Sequence, residues 1–246
     1  MTDPTTDQPL PRFCVVLPMY NEAANARACV VAIDLFLSAL RVSYGIIAVD
    51  DGSTDDTAAE LSDVAAVTPS LLTLRHEVNQ GYGGANRTGF AAAIQRGFDY
   101  ALVMDADGTQ NPEFIRDFFP AMRASIDFIK ATRYSRHSRV EGVDIRRKAI
   151  SWFGNRFARF VLRIPLTDFT NGFRAIRTEL LKRLHTHDTG FSVLIEEVVA
   201  ARALGASFAE VPYVLTARGS SGSESKFTYS FGVYRDYLKH VVRPRG

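Results

Sequence analysis

Two aspartates one residue apart, Asp105 and Asp107, end an apolar run, Ala101-Leu102-Val103-Met104, within the stretch YALVMDADGTQNPEF from Tyr100 to Phe114. On an extended backbone, residues i and i+2 point to the same side, about 6–7 Å apart along the chain. Carboxylates so placed repel each other, and one tends to keep its proton. A divalent cation between them, or one shared with a substrate phosphate, removes that conflict. Oxygen donors together with phosphates suit Mg2+ or Mn2+. Gly108 lets the chain turn, and Asn111-Pro112-Glu113 predicts a helix opening with proline in its first turn. By itself Asp-Ala-Asp reads more simply as an acidic strand-to-helix turn, because aspartate is common in turns. Its weight comes from the other elements that reach the same edge.

Those elements alternate. Phe13–Leu17 (FCVVL) predicts a buried strand that ends in Pro18-Met19-Tyr20-Asn21-Glu22 and is followed by an Ala-rich helix to Leu40. Ile46–Val49 predicts a second strand ending in Asp50-Asp51-Gly52-Ser53, with Thr54 as the cap of the next helix. Leu71–Arg75 is a third, weaker strand; Asn79-Gln80-Gly81-Tyr82-Gly83-Gly84 reads as a flexible turn, and Ala85–Phe98 as a helix. The strand bearing the aspartates follows, and Asp127–Ala131 gives a fifth. Such repetition specifies an α/β fold, a mostly parallel central sheet with helices on both faces. Ligands then bind at the carboxyl ends of the strands. PMYNE, DDGS, NQGYGG and DADG all fall there, and four polar strand ends on one rim argue for a site.

The remainder is less regular. Arg146–Arg163 reads as a helix mixing basic residues with Ile150, Trp152, Phe153, Phe157, Phe160 and Val161. A turn, Asp168–Phe173 (DFTNGF), precedes a short strand, Arg174–Ile176. Ser192–Leu204 is a helix carrying Glu196 and Glu197, and Ser207–Val211 is a strand. Arg218–Lys226 is a Gly/Ser-rich loop, and Tyr229–Val242 a closing amphipathic helix. The 246 residues form one domain, 12–246, behind a loose tail, 1–11. A nucleotide-binding half runs over about 12–132 and an acceptor-binding half over about 133–246.

Apolar residues make up 46% of the chain, enough for a sizeable core, and a net charge of +2 does not indicate a nucleic-acid binder. The charge is uneven: Arg133–Arg163 holds eight Arg and one Lys against Glu141 and Asp144. Such a run is a solvated surface, or else an anion or membrane-surface site. Cys14 and Cys29 read as reduced core residues of a cytosolic protein. No signal peptide is visible, and the most apolar segment, Cys29–Leu40, is too short for a bilayer.

Motifs narrow the chemistry. Gly81–Asn86 places Asn where a dinucleotide fingerprint needs its last Gly, and no P-loop or G-x-S-x-G elbow occurs. An acidic, cation-bearing rim beside arginines suits a nucleoside diphosphate-sugar. With VVLPMYNE, IIAVDDGSTDDT, NQGYGGANRTGF, VMDADGTQNPE, TRYSR, IRRKAISWFGN, LTDFTNGFRAIR, GFSVLIEE and AEVPYVLTAR in order, the chain resembles the inverting family 2 glycosyltransferases of GT-A fold. Within them it is similar to the dolichyl-phosphate mannose synthase and polyprenyl-phosphate glycosyltransferase branch. The resemblance runs from about Phe13 to Lys226.

The resemblance implies transfer of mannose or glucose from GDP-mannose or UDP-glucose to a polyprenyl (dolichyl or undecaprenyl) phosphate, with Mg2+ or Mn2+. It places Pro18, Tyr20, Glu22, Asp50 and Asp51 on the nucleotide, Asp51 reading the base. Asp105 and Asp107 hold the cation and diphosphate, Asp107 being the more direct ligand. Arg133 and Arg147 flank the acceptor phosphate and the diphosphate, Asp168 and the 170–173 turn shape the sugar and acceptor side, and Glu196, Arg218 and Lys226 close over the substrates. The branch has Gln two residues after the second Asp; Thr109 stands there, with Gln110 next, and either is a candidate further ligand. The closing R-x-x-G-x-S-K pattern is stretched to RGSSGSESK.

A phosphate monoester is largely dianionic at pH 7 and attacks without a general base. The absence of a convincing catalytic histidine agrees with that: His76 ends a strand, and the others read as surface residues. A version acting on a sugar hydroxyl or small soluble acceptor would need a base, for which Glu196 and Asp168 are the candidates. A sugar-1-phosphate nucleotidyltransferase is a third reading, disfavoured by PMYNE after the first strand, and a non-catalytic nucleotide-binding protein a fourth. A lipid-borne acceptor predicts a protein on the cytoplasmic face of the membrane, held peripherally or by a membrane-anchored partner. The Arg146–Arg163 helix either lies in the interface or packs as an ordinary core helix.

Overall fold

The structure, a computed structural model, describes residues 9–135, 139–140, 154–156 and 158–215. Arg147, Arg218 and Lys226 lie outside them, as do Trp152, Phe153, Phe157 and the expected helix at 229–242.

β1 (Phe13–Met19), β2 (Tyr44–Asp50), β3 (Leu71–Arg75) and β4 (Tyr100–Val103) alternate with α1 (Ala23–Ala39), α2 (Thr57–Ala65) and α3 (Gly81–Gln95). A 3-10 turn, Pro112–Phe118, leads into α4 (Phe119–Arg123) and β5 (Phe128–Thr132). After β6 (Arg139–Val140) come β7 (Arg174–Arg177), α5 (Thr178–Leu181), α6 (Val193–Ala203), β8 (Phe208–Pro212) and β9 (Val214–Leu215). Residues 154–156 and 158–162 are helical.

Seven strands form one sheet in the order β3-β2-β1-β4-β7-β5-β8, and β6 pairs with β9. β7 alone in the larger sheet runs antiparallel to its neighbours. The central strands are apolar throughout because both faces are covered. Phe13, Val15 and Leu17 face one core with Ile33, Leu37 and Phe118, while Cys14 and Val16 face another with Phe90, Ile195 and Val198. The chain leaves β1 for β2 on one side and reaches β4 on the other, so β1 and β4 form the switch point where such sheets bind ligands. Their neighbouring carboxyl ends carry Pro18–Glu22 and Asp105–Asp107.

Two local expectations change. The Asn79–Gly84 segment is not a loose turn: α3 already begins at Gly81. Asn79 accepts the Gly81 N–H at 2.9 Å, and the Gly83 N–H donates to the Thr189 carbonyl at 2.7 Å. A Cβ on Gly81 or Gly83 would stand 2.4 Å from Thr189 O or 2.1 Å from Asp188 O, so these glycines serve close approach rather than flexibility. Thr54 is not the cap of α2; Asp56 holds that position, and the Thr54 N–H donates to Asn21 Oδ1 at 2.9 Å.

Candidate active site

The site is assembled at the carboxyl rim. After β1, Asn21 takes a left-handed backbone (φ 51°) and donates its N–H to Ser53 Oγ at 2.9 Å. Glu22 is buried; its N–H donates to Thr57 Oγ1 at 2.8 Å and its carboxylate accepts from Asn25 Nδ2 at 3.0 Å. Pro18 and Tyr20 are half-buried on the same strand end. After β2, the Asp51 N–H donates to the Met19 carbonyl at 2.8 Å, which ties the two strand ends together. Asp50 accepts the Ser53 N–H at 2.9 Å, and Arg75 Nε stands 3.2 Å from its other oxygen. Asp51 Oδ1 takes both the Gln80 N–H, at 2.8 Å, and His76 Nδ1, at 2.6 Å, while His76 Nε2 meets Thr88 Oγ1 at 2.9 Å. His76 thus sits buried behind Asp51, with both ring nitrogens engaged in the fold.

Asp105 and Asp107 are half-buried beyond β4. Gln110 grips Asp105 twice, accepting its N–H at 3.0 Å and donating Nε2 to Oδ2 at 2.8 Å. The Tyr82 hydroxyl donates to Asp105 Oδ1 at 3.4 Å. Asp107 Oδ1 accepts the Thr109 N–H at 3.0 Å and its hydroxyl at 2.6 Å, closing the turn that Gly108 makes with a φ of 73°. Thr109 and Gln110, the two alternatives for a further cation ligand, are therefore both turned onto the aspartates they would assist.

The Cys29 thiol is pushed up to about 12, by burial first and then by the charges of Asp107, Glu22 and Asp105. Cys29 is partly buried and packs against the core. Tyr213 is raised by burial and then by Asp105 and Asp107, with Arg133 opposing, so an arginine from the later half stands near the same acids.

That half is held by buried charge pairs. Arg133 donates Nε and Nη2 to the two oxygens of Asp168, at 2.7 and 2.9 Å, and Nη2 reaches Thr170 Oγ1 at 2.7 Å. Asp168 is fully buried and also accepts the N–H groups of Arg133, Thr170 and Asn171, at 3.2, 3.1 and 3.1 Å. Burial would raise its carboxyl, but the Arg133 charge and hydrogen bonds, with Lys130, hold it below the usual carboxylate range. Glu196, the other candidate base, accepts the His187 and Asp188 N–H groups, each at 2.9 Å, and caps the loop ahead of α6.

Hard oxygen donors at Asp105 and Asp107 fit a divalent cation. Among the described residues no cluster of three or more His, Cys, Asp or Glu forms a cage for one. Two carboxylates with the remaining positions left to substrate phosphates is the usual arrangement for Mg2+ at such sites.

Residues 14–185 match the model of the family described as glycosyl transferase family 2. The chain belongs to glycosyltransferase family 2. This glycosyltransferase is 32% identical over 225 residues to polyprenol monophosphomannose synthase of Mycolicibacterium smegmatis, covering 88% of this chain and 82% of that protein. It is 30% identical over 238 residues to undecaprenyl-phosphate mannosyltransferase of Micrococcus luteus, covering 94% and 93%. Its fold is that of glucosyl-3-phosphoglycerate synthase from Mycobacterium tuberculosis, solved with Mn2+, UDP-glucose and phosphoglyceric acid. The TM-score is 0.69 at 22% identity, over 96% of this chain and 81% of that one. The sheet is thus a GT-A sheet, as the sequence implied.

Sequence reasoning singled out Glu22, Asp51, Asp105, Asp107, Arg133 and Asp168, and the structure brings all of them to the rim. It passed over Tyr82, read as part of a flexible turn, and Arg174. Arg174 was detectable as a guanidinium inside the apolar strand FRAI; Lys130 interrupts β5 in the same way.

Proposed function

We propose that this glycosyltransferase moves a hexose from a nucleoside diphosphate-sugar, GDP-mannose or UDP-glucose, to a polyprenyl phosphate, inverting the anomeric carbon. The observation that carries this reading is the clamping of Asp168, the buried candidate base, by Arg133. Asp168 is held by Arg133 and accepts from four backbone or hydroxyl donors, which keep its carboxyl low and make it a weak base, while Glu196 is turned onto two backbone N–H groups of the loop before α6. A hydroxyl acceptor needs one of them to take its proton. A phosphate brings an oxygen that is already anionic, and the two relatives are named for lipid-phosphate acceptors.

Pro18, Tyr20, Glu22, Asp50 and Asp51 line the nucleoside side. Asp105 and Asp107 would hold Mg2+ or Mn2+, which would supply charge neutralisation for the diphosphate. Arg147, with the charge of Arg133 beside it, holds the acceptor phosphate against the anomeric carbon, where a guanidinium fork suits phosphate; the Nε and Nη2 fork of Arg133 itself is taken by Asp168, and Lys226 closes over the substrates. The acceptor oxygen forms a bond to C1, the C1–O bond to the diphosphate breaks, and the nucleoside diphosphate departs with that electron pair. Positioning two anions and stabilising the leaving group account for the rate.

A lipid-borne acceptor brings the protein to a membrane surface. No described helix is long and apolar enough to cross one. Phe160 is 81% exposed between Arg159 and Arg163, an aromatic among cations as at a headgroup layer.

The test is transfer from each labelled donor, with Mn2+, to a short polyprenyl phosphate in detergent or to phosphoglyceric acid in buffer. An acid-labile lipid-linked sugar is expected. Product on the soluble acceptor alone overturns the lipid assignment.

A further inference from the structure

We propose that the Tyr82 hydroxyl, held by the buried Arg174–Glu197 pair, is the positioning group that aims the Asp105 carboxylate at the cation and diphosphate. The inference rests on the reading of Asp105 and Asp107 as the cation-bearing pair.

The parts come from separate elements. β7 runs antiparallel to β4 with Arg174 opposite Val103, so Arg174 reaches the rim beside the chain that leads to Asp105. Arg174 and Glu197 are both 0% exposed. Glu197 takes Nε and Nη2 of the guanidinium at 2.5 and 2.7 Å. Nη1 points the other way, donating to the Gly172 carbonyl at 2.7 Å and to the Tyr82 hydroxyl at 3.3 Å. A buried pair of this kind is weak evidence for stability, since well-packed apolar side chains often do as well. Direction is what it supplies. A guanidinium has donors only, so it fills the acceptor side of the phenol oxygen and leaves the single phenol hydrogen for Asp105 Oδ1, 3.4 Å away.

The ring itself is fixed. Tyr82 stacks on Phe191 with centroids 4.7 Å apart and planes at 26°. Gln110 Nε2 donates to Asp105 Oδ2 at 2.8 Å, and the Tyr82 hydroxyl faces Oδ1 on the other side across the longer 3.4 Å contact. Gly172 closes the arrangement. A Cβ there would stand 2.8 Å from the Tyr82 hydroxyl and 3.1 Å from each Asp105 oxygen. Its backbone is outside the left-handed region, so Gly172→Ala is a steric probe of this spot without backbone strain. Groups that orient a metal-binding carboxylate commonly matter about as much as 10–100-fold in metal affinity.

Mn2+ binding to the full chain is read directly by electron paramagnetic resonance, from loss of the free-ion signal, with UDP and with GDP present in separate titrations. Tyr82→Phe is expected to weaken Mn2+–nucleotide binding roughly tenfold, with an unchanged melting temperature in the absence of metal. Gly172→Ala is expected to weaken it also. If the unaltered chain binds Mn2+–nucleotide and Tyr82→Phe binds it equally well, the positioning role falls while the site reading stands. If the unaltered chain binds Mn2+ with neither nucleotide, the site reading itself falls. Should Tyr82→Phe lower the melting temperature, Gly172→Ala decides, and unchanged binding there overturns the proposal.

Discussion

In the first half of the chain, Asp105 and Asp107 are half-buried and accept from neutral donors, the Gln110 amide, the Tyr82 hydroxyl and Thr109. In the second half, Asp168 and Glu197 are wholly buried and clamped in two places by Arg133 and Arg174. Neutral donors orient a carboxylate without cancelling its charge; a bidentate guanidinium does both. The first arrangement orients the carboxylates at the rim, where a cation would sit. The second builds a rigid wall across the sheet, against which the first is aligned. Substitutions in the two regions should therefore fail differently.

The largest effect is expected at Asp105 and Asp107. Asp107→Ala should reduce sugar transfer by on the order of 10²–10³-fold or more, while thermal unfolding without metal stays close to that of the unaltered chain. Equal loss of folding would remove the contrast between the halves. Glu197→Ala should do the opposite first. It strands Arg174 as an unpaired buried charge, and breaking such a pair costs about 3–5 kcal/mol, read from urea unfolding.

A third substitution separates charge from packing. Lys130 is fully buried, donates Nζ to the Asn171 carbonyl at 2.7 Å, and is pressed down to about 7 by burial and then by the Arg174 charge. The unfolded value is about 10.4. Between pH 7 and about 10 the unfolded chain therefore holds a proton that the folded chain has released. Stability rises with pH across that window, and below pH 7 the cost of the buried charge is fully present. Lys130→Met should flatten the rise and stabilise the protein at pH 7 by on the order of 1–3 kcal/mol, as measured by unfolding at a series of pH values. The smallest effect belongs to a local cap. Asn111 accepts the Glu113 N–H at 3.0 Å where the 3-10 turn begins, and Asn111→Ala should cost about 1 kcal/mol in thermal unfolding.

Strands of the first half were legible to within two residues at either end because each is a short apolar run closed by polar residues. The rim followed, since parallel strands bring their carboxyl ends together whatever the helices do. The glycines of Gly81–Gly84 were misread because local pattern cannot distinguish a glycine that bends from one that lets a distant carbonyl approach. Thr189 and Asp188 lie more than a hundred residues away in sequence.

The sequence by itself determined the alternating α/β order, the acidic rim and the family, because period, composition and motif are local properties. Tertiary structure alone decided that Asp168 is clamped by Arg133 and that Tyr82 stands between Arg174 and Asp105. Those are matters of which donor meets which acceptor across strands far apart in the chain. An antiparallel β7 set between β4 and β5 is what brings the second half's arginine to the first half's aspartate.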